Sequence, residues 1–179
     1  MPLPRGFTLA ELLLAVAVAG VLLALAMPAF AKLIDSTRAR GAADRLHTEL
    51  SLARQEALLR RRQVTLCRTV DHRQCVYSGP WSMGTMSFED RNRNEQLDAD
   101  DVLLRVTAAG DYAGLHVVDN GQRRHISFRP DGRSGGTNLT LRLCNRKLEP
   151  LRLLIINTGG RVRAMAPTPG TRACEAGAA

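Results

Sequence analysis

Gly6-Phe7-Thr8-Leu9-Ala10-Glu11-Leu12-Leu13 opens the stretch on which the reading of this chain turns. Behind it, residues 12–30 form a run of 19 without a charged side chain, built mainly from Leu, Ala and Val. At about 1.5 Å per residue, a helix of that length crosses a hydrocarbon core about 30 Å thick. In front stand Met1-Pro2-Leu3-Pro4-Arg5-Gly6, a short leader with a single positive charge. An ordinary secretory signal is cut after its apolar run, where Ala24, Ala26 and Ala29 would supply the small residues. Glu11 sets a different problem. A lone carboxylate in a spanning helix costs about 2.5–3.5 kcal/mol, so it calls for a partner, unless it lies at the helix start where the dipole favours it.

These residues, at these offsets, resemble the prepilin signal of type IV pilins and type II secretion pseudopilins. In that family a membrane peptidase cuts after the glycine and methylates the new N-terminus, and the apolar helix stays with the mature protein. The resemblance implies cleavage between Gly6 and Phe7, with Phe7 methylated. Counted from Phe7, Glu11 is the fifth residue and Pro28 the twenty-second, which match the family's glutamate and its helix-bending proline. It further implies that Glu11 pairs with the N-terminal amine of a neighbouring pilin subunit during assembly. The implied location is a bacterial inner membrane, single-pass, with the globular part in the periplasm and later in a pilus filament or tip.

Outward from the membrane run the pattern becomes amphipathic. Ala42, Ala43, Leu46, Leu50, Ala53 and Ala57 recur at helical spacing, with Arg45, Glu49, Arg54 and Glu56 read as the polar face. Arg60-Arg61-Arg62 places positive charge at the helix end, where it complements the dipole. From residue 63 the helical period stops. Strand candidates follow at 64–67, 85–88, 102–106, 115–118, 125–128, 139–144 and 151–156, separated by turns such as Pro130-Asp131-Gly132 and Asn157-Thr158-Gly159-Gly160. The expected fold is α+β: a long N-terminal helix packed on an antiparallel sheet or sandwich. The expected segments are a leader (1–6), a membrane helix (7–30), an amphipathic helix (31–62) and a β-rich domain (63–179).

Charge is unevenly placed. Up to residue 118 there are 14 Arg/Lys against 13 Asp/Glu, and beyond it 11 against 4. An excess confined to one end points to a polyanionic partner. Several ordered segments, namely Ser51-Leu52-Ala53-Arg54-Gln55-Glu56-Ala57, Val64-Thr65-Leu66-Cys67, Ser127-Phe128-Arg129-Pro130-Asp131-Gly132-Arg133, Leu141-Arg142-Leu143-Cys144 and Gly160-Arg161-Val162-Arg163, resemble the FimT/GspH branch of the pilin superfamily. The last is similar to the GRxR motif of FimT-type minor pilins, which bind DNA in natural transformation. That resemblance implies Gly160, Arg161 and Arg163 as DNA contacts, and the neighbouring Arg152, Arg146, Lys147, Arg142, Arg133 and Arg129 are the candidates to extend the surface. Arginines two apart on an extended segment stand on one side and can fork onto neighbouring phosphates without reading bases. The alternative is a Gly-Gly hairpin followed by a solvated strand, in a purely structural pseudopilin or pilus-assembly subunit.

Cys67, Cys75, Cys144 and Cys174 allow three pairings, and proximity favours Cys67–Cys75 with Cys144–Cys174. Asp90, Asn92, Asn94, Asp98 and Asp101 have the look of a calcium loop, but Glu95 stands where the sharp turn needs glycine, so a polar hairpin loop is expected. His47, His72, His116 and His125 are scattered, and no nucleophile–base set accompanies them. Neither catalysis nor a cofactor or metal is expected.

Overall fold

The computed structural model describes residues 8–120 and 123–175. One helix, α1 (Leu9–Arg60), carries both the apolar run and the amphipathic stretch. It starts on a reciprocal capping box: the backbone N–H and the hydroxyl of Thr8 donate to Glu11 Oε2 at 2.8 and 2.9 Å, and the Glu11 N–H donates to Thr8 Oγ1 at 3.3 Å. It stops at Arg60 because Arg61 takes a left-handed conformation, φ +53°. Contacts divide the chain within this helix, between Ser36 and Thr37. The first part is apolar and solvent-facing, with Leu13 and Leu25 62% and 70% exposed. Its most apolar window has a mean hydropathy of 2.6, enough by length and composition to cross a membrane.

The second unit begins where α1 acquires a buried stripe: Ala39, Ala42, Ala43, Leu46, Leu50, Ala53 and Ala57. Against it lie two four-stranded antiparallel sheets. The first has β1 (Gln63–Arg68), β2 (Gly84–Asp90), β3 (Val102–Ala108) and β5 (His125–Phe128) in the order β3-β2-β1-β5. The second has β4 (His116–Asp119), β6 (Leu139–Cys144), β7 (Pro150–Ile156) and β8 (Val162–Met165) in the order β4-β6-β7-β8. Leu46, Leu50, Leu66, Phe128, Leu141 and Leu154 sit in the shared core. Each of the seven expected strands is present, and β8 is an eighth that the sequence did not announce.

One expectation is corrected. Glu49, placed on the polar face, is only 2% exposed. It comes three residues after Leu46 and four before Ala53, so helical geometry turns it inward. Thr85 Oγ1 donates to both its oxygens at 3.0 and 3.1 Å, and Thr107 Oγ1 donates at 3.2 Å. These threonines lie on β2 and β3, so one polar residue from each strand answers a buried carboxylate. The apolar residues of β2, Met86 and Phe88, pack instead with Cys67, Cys75 and Leu97 in a separate small cluster.

Candidate nucleic-acid interface

The strand β7 returns into β8 through Asn157-Thr158-Gly159-Gly160-Arg161. Asn157 builds this turn from its own polar atoms. Its carbonyl accepts from Gly160 N at 2.9 Å, its Oδ1 accepts from Arg161 N at 2.8 Å, and its N donates to Arg161 O at 3.2 Å. Gly160 has φ +78°, and a Cβ there would fall 2.0 Å from the carbonyl oxygen of Gly132. Only glycine fits. Beyond the turn, Val162 pairs with Ile156 and is buried, while Arg163 pairs with Ile155. Arg161 and Arg163 are exposed on either side of Val162, as a continuing extended segment requires.

A second turn abuts the first. In Arg129-Pro130-Asp131-Gly132-Arg133, Arg129 N donates to Arg133 O and Gly132 N to Arg129 O, both at 2.8 Å. Asp131 Oδ1 accepts from Arg133 N at 3.0 Å. Ser134 N then donates to Thr158 O at 3.1 Å, joining the two turns. Arg54 of α1 joins them again, with Nε donating to Gly132 O at 2.8 Å and Nη2 to Gly159 O at 3.4 Å. That role is not readable from sequence, because it depends on two loops distant from Arg54 in the chain. Arg129 and Arg133 are exposed, and none of Arg129, Arg133, Arg161 and Arg163 enters an ion pair among the described residues. Asp131 is the one carboxylate within the two turns.

The other basic candidates are spread. Arg142 pairs with Leu153, which pairs with Met165, so it shares a sheet face with Arg163, but its Nη2 is engaged by Asp119 O at 3.3 Å. Arg152 belongs to the opposite face of β7, lining a surface depression with Arg40, Ala43, Asp44 and Ala164. Arg146 and Lys147 are exposed in the β6–β7 loop, at the far end of a seven-residue strand. At about 3.4 Å per residue that is about 20 Å from the glycine turn.

Trp81 and Tyr112 are buried, and Tyr77 lies half-buried with the Arg124 guanidinium 5.6 Å from its ring centre. The basic corner therefore offers no stacking platform from these rings. Cys67 is bonded to Cys75 and Cys144 to Cys174, with Cα–Cα distances of 5.6 and 6.2 Å. In the β2–β3 loop the carboxylates and amides satisfy one another: Asp98 Oδ2 accepts from Asn92 and Asn94 at 2.8 and 2.7 Å, and Asp90 accepts from Asn94 N at 3.1 Å and from Glu95 N at 3.2 Å. Among the described residues no His, Cys, Asp and Glu group is placed to hold a metal ion. Gly6 and Phe7 lie outside the described residues.

Residues 42–160 match the family model of type II transport protein GspH, and residues 1–27 match that of the prokaryotic N-terminal methylation motif. No curated protein matches the sequence. Among solved structures, the type IV minor pilin FimU of Pseudomonas aeruginosa is similar in fold, with a TM-score of 0.55 and 22% identity over 76% of this chain and 92% of that one. The solution structure of Escherichia coli GspH gives a TM-score of 0.50 and 17% identity over 76% of this chain and 94% of that one. With a family match across most of its globular part and a methylation motif at its start, the chain belongs to the GspH family and is a minor pilin or pseudopilin.

Proposed function

We propose that this subunit binds duplex DNA through its phosphate backbone, without reading sequence, and so captures DNA for uptake at the cell surface. The observation that carries the reading is the pair Arg161 and Arg163, exposed beside a tightly packed glycine turn and free of ion pairs among the described residues. A guanidinium not engaged by a carboxylate has its donors and its field open to a phosphate. Before that, prepilin peptidase cuts after Gly6, Phe7 is methylated, and residues 7–30 hold the protein in a bacterial inner membrane with its β domain in the periplasm. Glu11 then leaves its capping box with Thr8 to pair with a neighbouring subunit's N-terminus as the filament forms. The subunit works by binding and assembly, with no catalysis of its own.

A second reading has its own support. Gly160 is required by its contact with Gly132, so a glycine before the arginines follows from packing alone. On that reading the chain is a structural pseudopilin or pilus-assembly subunit and the arginines are solvated surface. Fluorescence anisotropy of the full chain in non-ionic detergent, titrated onto two short duplexes of unrelated sequence, separates the two. DNA binding predicts similar affinity for both duplexes and a loss of tenfold or more for Arg161→Gln/Arg163→Gln. Equal binding by the variant favours the structural reading.

A further inference from the structure

We infer that the turn of residues 129–133 is the second half of the polyanion surface, contributing Arg129 and Arg133, and that Arg54 is the positioning residue that holds the halves together. The inference rests on the DNA reading and extends it to residues outside the glycine–arginine motif. Three contacts make the two turns one body: Ser134 N to Thr158 O at 3.1 Å, the Arg54 guanidinium on Gly132 O and Gly159 O, and the direct approach of Gly160 to Gly132 O. Leu58 of α1 closes against Gly132 as well, where an added Cβ would meet its side chain at 3.0 Å. Four exposed guanidinium groups are thereby carried on two joined turns and the start of β8.

Rigid placement matters because a duplex presents phosphates at fixed spacing. Arginines held in one frame meet several phosphates at little ordering cost, while arginines on separate mobile loops pay it at each contact. Arg54 spends its fork on backbone carbonyls, which keeps it from serving as a fifth phosphate contact. A lysine at 54 keeps the charge but loses the planar fork that reaches two carbonyls.

Duplex titrations of the full chain in non-ionic detergent test this, with Arg161→Gln/Arg163→Gln run in parallel. Arg129→Gln/Arg133→Gln is expected to weaken binding about tenfold, and Arg129→Lys/Arg133→Lys to retain most of it. Arg54→Ala and Arg54→Lys are both expected to weaken binding, with far-UV circular dichroism unchanged. If the 161/163 variant loses binding and the 129/133 variant does not, DNA binding stands and this inference falls. If neither loses binding, the DNA reading itself falls. If Arg54→Lys binds like the wild type, Arg54 acts by charge and its positioning role is overturned. If a variant with Arg129, Arg133, Arg161 and Arg163 all changed to Gln loses the wild type's binding to phosphatidylglycerol vesicles but still binds DNA, the corner is a membrane contact and the inference is wrong.

Discussion

Glu49 has two threonine hydroxyls for company and almost no water. Burial pushes its pKa above the ordinary value of 4.5, against the hydrogen bonds from Thr85 and Thr107 and the charge of Arg105, and with a smaller push from Asp111. A folded state that holds its proton more tightly than the unfolded one gains stability at low pH and loses it as pH rises past the folded pKa. Thermal melts between pH 4 and 8 should therefore show stability falling above about pH 4.5 from this group, and Glu49→Gln should remove that part of the fall. Equal slopes in both proteins would mean Glu49 is not held as described. Gly160 gives a second prediction at this scale. Gly160→Ala must strain a left-handed backbone and displace Gly132, at a cost of about 1–3 kcal/mol, or a melting temperature lower by about 2–12 °C. An unchanged melting temperature would contradict the packing of the two turns.

At the scale of elements, the disulfides close loops of different size, with sequence separations of 8 and 30 residues. Chain entropy assigns them about 2.5 and about 3.6 kcal/mol, so Cys144→Ala/Cys174→Ala should destabilise about 1 kcal/mol more than Cys67→Ala/Cys75→Ala. Denaturant midpoints of the two variants check the order, and the reverse order would overturn it. Much of this level was legible from sequence. The apolar stripe of α1 and the alternation of Leu139, Leu141 and Leu143 bury as their periods require. Glu49 was missed because its type was weighed above its phase, although its offsets from Leu46 and Ala53 already turned it inward. β8 was missed for the opposite reason: three of its four residues are exposed, as an edge strand allows, so it lacks an apolar signal. Of the candidate site, the glycine turn and the exposure of both arginines on one extended segment were legible. The clasp by Arg54 was not, because it bonds to backbone carbonyls that any residue could supply.

The whole chain joins an apolar helix to a disulfide-bonded β domain, with its positive excess confined to residues 119–179. Glu11→Val removes the capping box with Thr8 but keeps the apolar run that crosses the membrane, so membrane insertion should persist while incorporation into filaments falls. Immunoblots of sheared filaments and membrane fractions measure both, and unchanged incorporation would show the carboxylate to be dispensable. The central claim is that the basic corner grips phosphates, and its most direct test is the salt dependence of duplex binding by the full chain in non-ionic detergent. Four phosphate contacts predict a plot of log K against log salt with a slope of about −3.6, and Arg161→Gln/Arg163→Gln should bring it to about −1.8. A slope near zero in the wild type, or one that the double substitution leaves unchanged, would contradict the claim.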